Sequence, residues 1–104
     1  MLDFMIQCRR ELHQIPELEQ NLPKTCAYVN EKLSALSCVL SEPVKGAVCV
    51  YFDEGKADTI AFRADMDALP IAEQTGLPFA SVHPGCMHAC GHDGHTAMLL
   101  GLAR

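Results

Sequence analysis

The chain has 104 residues, enough for one small domain, and 49% of them are apolar, which favours a packed core over a disordered segment. Thirteen acidic and eight basic residues give a net charge of −5 without any basic run, so no nucleic-acid partner is expected. A first helix is predicted over residues 2–14, before Pro16, because apolar side chains recur at helical steps. These side chains are Leu2, Met5, Cys8, Leu12 and Ile15.

A second helix is predicted to begin after Asn21, a suitable N-cap, with Pro23 in its first turn, and to end near Leu36. Its apolar positions also follow helical spacing and are Leu22, Cys26, Val29, Leu33 and Leu36. Both helices are therefore expected to be amphipathic and to pack one face against a core.

Three runs rich in β-forming residues follow, at residues 37–42, 46–52 and 59–64. The turn-forming stretch between the second and third runs predicts that these two form a hairpin. Because both runs are nearly continuous in apolar residues, we expect them inside a sheet that helices cover on both faces. The predicted fold class is α/β, with helices packed on a mixed sheet.

Residues 72–87 contain two glycines and two prolines and lack a regular apolar pattern, which predicts a long loop. Helical spacing returns after Asp93, a suitable N-cap, and predicts a mostly buried helix that continues to Arg104. This helix has no glycine, asparagine or proline stop signal, so residues 1–104 are expected to be part of a larger domain.

The six cysteines are Cys8, Cys26, Cys38, Cys49, Cys86 and Cys90. Four of them lie in apolar periodic segments, where a reduced cysteine acts as a small hydrophobic residue, and no structural disulfide is expected. Cys86 has no basic neighbour to activate it and is expected to be a passive thiol. The first residues show neither a signal peptide nor a membrane-spanning pattern, so a cytoplasmic protein without a membrane partner is expected.

The segment HACGHDGH, residues 88–95, places many metal-ligand side chains at the start of the last predicted helix. A thiolate and a neutral imidazole bind divalent metal ions well, so Cys90 and His92 are candidate ligands. Residues two apart share a face of an extended chain, which places His88 on the same side. In the structural alternative, Asp93 caps the helix and the imidazoles, including that of His95, are solvated.

The segment FRADMDALP places Asp65 and Asp67 at the carboxyl end of the third β-rich run. At that edge of an α/β sheet, carboxylates bind ligands or adjust the pKa of a neighbouring base. In the structural alternative, Asp65 pairs with Arg63 and Asp67 caps a turn. His13, near the end of the first helix, is interpreted as a structural group.

Three segments together resemble a known family in their order and spacing: RRELHQIPEL, FRADMDALPIAE and GCMHACGHDGHTAMLLG. They are similar to the amino-terminal part of the hippurate hydrolase and auxin-conjugate hydrolase branch of the aminoacylase and carboxypeptidase G-like dinuclear metallohydrolases. The resemblance covers essentially the whole chain. It implies part of a zinc-peptidase-like catalytic domain that hydrolyses N-acyl amino acids with two divalent metal ions, zinc, manganese or cobalt.

The resemblance also implies roles for individual residues. Cys90 and His92 match metal ligands, and Asp67 matches the carboxylate that supports the catalytic base. Asp65 falls where more distant relatives have a metal-binding histidine. Supporting or capping roles are implied for the two remaining polar residues of the motif, Asp93 and His95.

The family also has a pair of glutamates, two further metal-binding histidines and a dimerisation domain downstream of this motif, and they are absent from this sequence. Glu73 does not match the glutamate pair and is not a candidate base. The sequence therefore favours an incomplete metal-dependent amidohydrolase that is inactive alone, because two ligands without a base do not make a dinuclear site.

Two other hypotheses remain at this point. The chain is alternatively a non-enzymatic module that self-associates as a homo-oligomer through exposed core surface. A weaker alternative is a small structural zinc domain, which would unfold when its metal is removed.

Overall fold

The structure is a computed structural model that describes all 104 residues. It contains three helices and a two-stranded antiparallel sheet: α1 (Leu2–Gln14), α2 (Pro23–Ser34), β1 (Val39–Ser41), β2 (Cys49–Tyr51) and α3 (His92–Ala103). The predicted α/β class, with helices packed on a sheet, is confirmed. All three helices are too short or too polar to cross a lipid bilayer.

The core lies where the three helices meet. α1 has the predicted limits and ends two residues before Pro16, and its packing partner is mainly α3. Apolar residues from each helix fill the contact, because the predicted helical spacing puts them on one face. The buried cluster consists of Cys8, Val29, Leu33, Ala97 and Leu100.

The start of α2 is held by a residue outside the helix. Pro23 is the first helical residue, as predicted, but the N-cap position is Leu22 and not Asn21. The Glu17 carboxylate supplies the acceptors for the first turn. One oxygen accepts from the backbone N–H of Thr25 at 2.7 Å and from its hydroxyl at 2.8 Å, and the other accepts from the backbone N–H of Lys24 at 3.2 Å.

The predicted hairpin between residues 46–52 and 59–64 is wrong. β2 pairs instead with β1, with Leu40 opposite Val50, and residues 59–64 form no strand. The expected helical cover on both faces is also wrong, since Ile60 and Phe62 are 79% and 66% exposed. The physical reason is that an apolar strand needs a hydrogen-bonding neighbour and a covering layer, and the helices here pack chiefly against one another.

The long loop is confirmed, since residues 72–87 contain no helix or strand. α3 begins at His92, with Gly91 at its N-cap position, so Asp93 lies inside the first turn and is not the N-cap. The helix is less buried than predicted, because Met98 and Leu102 are exposed on its outer side.

Candidate metal centre

Backbone hydrogen bonds join the segment around Asp67 to the chain after α1 and to the chain before α3. The backbone N–H of Ala68 donates to the carbonyl of Glu17 at 2.7 Å. Leu69 and Met87 exchange two backbone hydrogen bonds, each 3.0 Å long. The two segments that carry the sequence motifs are therefore neighbours in space.

His92 and Asp67 are directly bonded. The Nδ1–H of His92 donates to the backbone carbonyl of Asp67 at 2.9 Å and to its carboxylate at 3.0 Å. A histidine held at Nδ1 keeps its Nε2 lone pair for an ion, and this carboxylate–histidine arrangement is typical of metal sites. The Asp67 carboxylate therefore contacts the candidate ligand His92 instead of capping a turn.

Cys90 is exposed and lies at a bend two residues before His92. An accessible thiol and an imidazole with a free Nε2 are the donor types that zinc and cobalt accept, so these two residues fit a metal ion. No three His, Cys, Asp or Glu side chains of the chain are grouped closely enough to hold an ion. Cys90 and His92 are therefore two candidate ligands, and no third such side chain of this chain is grouped with them.

His88 does not share the exposed side of Cys90, contrary to the prediction. Its side chain is buried, and neither ring nitrogen has a hydrogen-bond partner. Burial lowers the pKa of His88, because the charged imidazolium would lose its water. The two-residue alternation fails here because the chain bends at Cys90 and Gly91 before α3 begins.

Asp65 makes the ion pair that the structural alternative proposed. Its carboxylate accepts from Arg63, and this hydrogen bond and charge hold the pKa of Asp65 below its usual value. His92 and His95 lower the pKa of Asp65 further, but less. His95 itself is exposed, with its ring 6.1 Å from that of His92.

A buried ionic cluster links α1 to the start of α3. His13 Nδ1 donates to Asp93 at 2.7 Å, and Arg9 Nε donates to the same carboxylate oxygen at 3.0 Å. His13 Nε2 faces Glu73 at 3.1 Å. His13 is therefore a buried link between three parts of the chain. Sequence reasoning missed this role, although the spacing of Arg9 and His13, one helical turn apart, was a signal for a shared partner.

Glu73 accepts several hydrogen bonds at the inner side of the long loop. Its donors are the Thr75 hydroxyl, the Ser81 backbone N–H at 2.8 Å and His13. The Thr75 hydrogen bond has the largest effect and, with the others, lowers the pKa of Glu73 to about 2. The carboxylate is thus a fixed acceptor that holds the loop, in keeping with the expectation that it is not a base.

All six cysteines are free in the structure. Cys86 is buried, and burial raises the pKa of its thiol above the usual value. A thiol with a raised pKa is a weaker nucleophile at neutral pH, which agrees with the passive role expected for Cys86.

Comparisons with known proteins give a consistent result. Residues 61–104 match the model of peptidase family M20/M25/M40. The chain is 49% identical to an N-acetyldiaminopimelate deacetylase of Listeria monocytogenes, over 98% of its own length and 28% of that protein. It is also 49% identical to an N-acyl-L-amino acid amidohydrolase of Geobacillus stearothermophilus, over 96% of its length and again 28% of the relative.

Solved structures give the same match. A protein from methicillin-resistant Staphylococcus aureus, described as an aminohydrolase, superimposes with a TM-score of 0.93 at 47% identity. A dinuclear metal-binding peptidase of the M20 family from Bacillus subtilis superimposes with a TM-score of 0.87 at 42% identity. The chain spans 28% of each of these structures. In sequence and in fold, its 104 residues therefore match a little over a quarter of an M20-family amidohydrolase.

Proposed function

We propose that this chain forms part of a metal-dependent amidohydrolase that cleaves the amide bond of N-acyl amino acids. The single observation that carries the proposal is the hydrogen bond from His92 Nδ1 to Asp67. The exposed thiol of Cys90 lies two residues before His92 in the chain. The names of the relatives support the reaction class and an N-acylated amino acid as substrate. Two divalent ions are proposed for the complete site, by similarity to the dinuclear neighbour.

The residues of this chain have distinct tasks in that reaction. Asp67 fixes the tautomer and orientation of the His92 ring and leaves Nε2 free, so His92 would hold a metal ion through Nε2 and Cys90 would hold it as a thiolate. A bound divalent ion makes water a nucleophile near neutral pH and polarises the amide carbonyl. The proton-transferring glutamate and the remaining ligands are proposed to lie outside residues 1–104. Hippurate-like acyl groups are the finer substrate proposal.

Metal removal tests this function in the complete gene product. Treatment with a chelator is expected to abolish hydrolysis of hippurate and of N-acetyl amino acids, because no nucleophilic water is then activated. Zinc, manganese or cobalt should restore the activity, and release of the free amino acid is the measurement. Activity that survives complete metal removal would contradict the proposal.

A second candidate, self-association of this chain by itself, is favoured by the exposed apolar run around Ile60 and Phe62. Exposed apolar surface of this kind tends to find a partner. The purified 104-residue chain is expected to sediment as an oligomer, and a variant with Ile60→Ser and Phe62→Ser should shift towards the monomer. A wild-type chain that stays monomeric at high concentration would exclude this candidate.

A further inference from the structure

The first turn of α3 has no side-chain cap, because glycine occupies its N-cap position. Within the turn, Asp93 accepts one hydrogen bond from the backbone N–H of Gly94 at 2.9 Å. The other oxygen of Asp93 receives both Arg9 and His13 from α1. Side chains of α1 therefore fix, to a large extent, the rotation of this turn about the helix axis.

The contact between His13 and Asp93 is buried and depends on hydrogen-bond geometry. His13 and Asp93 are each 2% exposed, so the carboxylate has exchanged water for the side chains of α1. An apolar pair of similar size would join α1 to α3 at a lower desolvation cost. A charge-assisted hydrogen bond adds a fixed distance and angle, which apolar packing does not.

We infer that His13 is a positioning residue for the candidate metal ligand His92 and acts through Asp93. The inference rests on the proposed function. Asp93 directly follows His92 in the chain, so a turn released from α1 also releases the imidazole that must meet Asp67 at Nδ1 and the ion at Nε2. Residues that hydrogen-bond to a metal ligand without touching the ion control the affinity for the ion by orienting that ligand.

Two variants of His13 separate this role from a structural one. The amide nitrogen of asparagine reaches the position of Nδ1, so His13→Asn keeps a donor for Asp93 and loses the one for Glu73. Glutamine is one atom longer and reaches the position of Nε2, so His13→Gln keeps the donor for Glu73 and loses the one for Asp93. Each variant loses one buried hydrogen bond, which makes them matched.

Cobalt binding to the complete gene product is the measurement, read from the thiolate-to-cobalt absorption that disappears in Cys90→Ser. We expect His13→Gln to weaken cobalt binding about tenfold, the lower end of the loss typical of residues that support a metal ligand. We expect His13→Asn to weaken it less than about threefold. Denaturant midpoints of both variants provide the stability control. Equal losses of affinity in the two variants would overturn the inference, since a merely structural role predicts them.

Arg9 and Arg10 provide a second test that does not depend on folding of the His13 variants. Both guanidinium groups stack on Phe79, at 5.3 and 5.1 Å from the ring centre, but only Arg9 reaches Asp93. Arg9→Gln should weaken cobalt binding relative to Arg10→Gln, and equal affinities would contradict the inference. Absorption that survives Cys90→Ser would contradict the proposed metal site itself, and this inference with it.

Discussion

Replacement of His92 by alanine in the complete gene product is expected to lower hydrolysis of N-acyl amino acids more than about 100-fold. This loss is larger than the one typical of residues that only support a metal ligand. The variant loses the Nε2 atom proposed to bind the ion. It also loses the Nδ1–H group that donates to the Asp67 carboxylate at 3.0 Å. Metal content should fall with activity, and both are measured on the same preparation.

The matched control for this experiment is His83→Ala. His83 donates to the carbonyl of Pro16 at 2.8 Å and contacts the Lys24 ammonium, so it belongs to the loop and not to the candidate metal centre. It should keep its metal and most of its activity. A His92→Ala protein that retains the metal content of the wild type would show that the ion binds elsewhere.

Replacement of Leu12 by alanine is expected to destabilise the fold by about 2–5 kcal/mol, the range for a buried leucine truncated in a packed core. Leu12 is 1% exposed in α1 and is among the largest fully buried side chains. Because a small domain has only about 5–15 kcal/mol of stability, this loss is a considerable part of the total. The shift of the urea midpoint measures it.

Leu2→Ala provides the comparison for Leu12→Ala, since Leu2 lies in the same helix and is 65% exposed. The same chemical change there is expected to alter stability by less than about 0.5 kcal/mol. Similar midpoints for the two variants would mean that the face of α1 carrying Leu12 is not a core face.

The helices could be predicted from the sequence because their determinants are local. The spacing of Leu12 with its neighbours and the position of Pro23 depend on residues within a few turns, and both predictions agree with the structure. The strand pairing was wrong because it depends on which edges and covering layers are available, and local composition does not encode them. The capping of α2 by Glu17 was missed because the acceptor lies eight residues before Thr25.

Part of the candidate site could be predicted from the sequence, because both candidate ligands lie in one short motif, residues 88–95. Cys90 and His92 follow as candidate ligands from the chemistry of their side chains. The resemblance implied only that Asp67 supports the catalytic base, and its hydrogen bond to His92 is known from the structure alone. The spacing of Arg9 and His13 indicated a shared partner, but it did not identify Asp93. That residue lies 80 positions after His13, and each of the two has a local explanation, a helix end for His13 and a cap for Asp93.

Gly91 separates the two candidate metal ligands, and its φ of 105° is one that residues with a β-carbon rarely adopt. No atom crowds this glycine, so steric space does not explain its presence. The chain between Cys90 and His92 therefore takes a left-handed backbone conformation that favours glycine. A residue with a β-carbon at position 91 would fit the space available and would still strain the backbone that carries both candidate ligands.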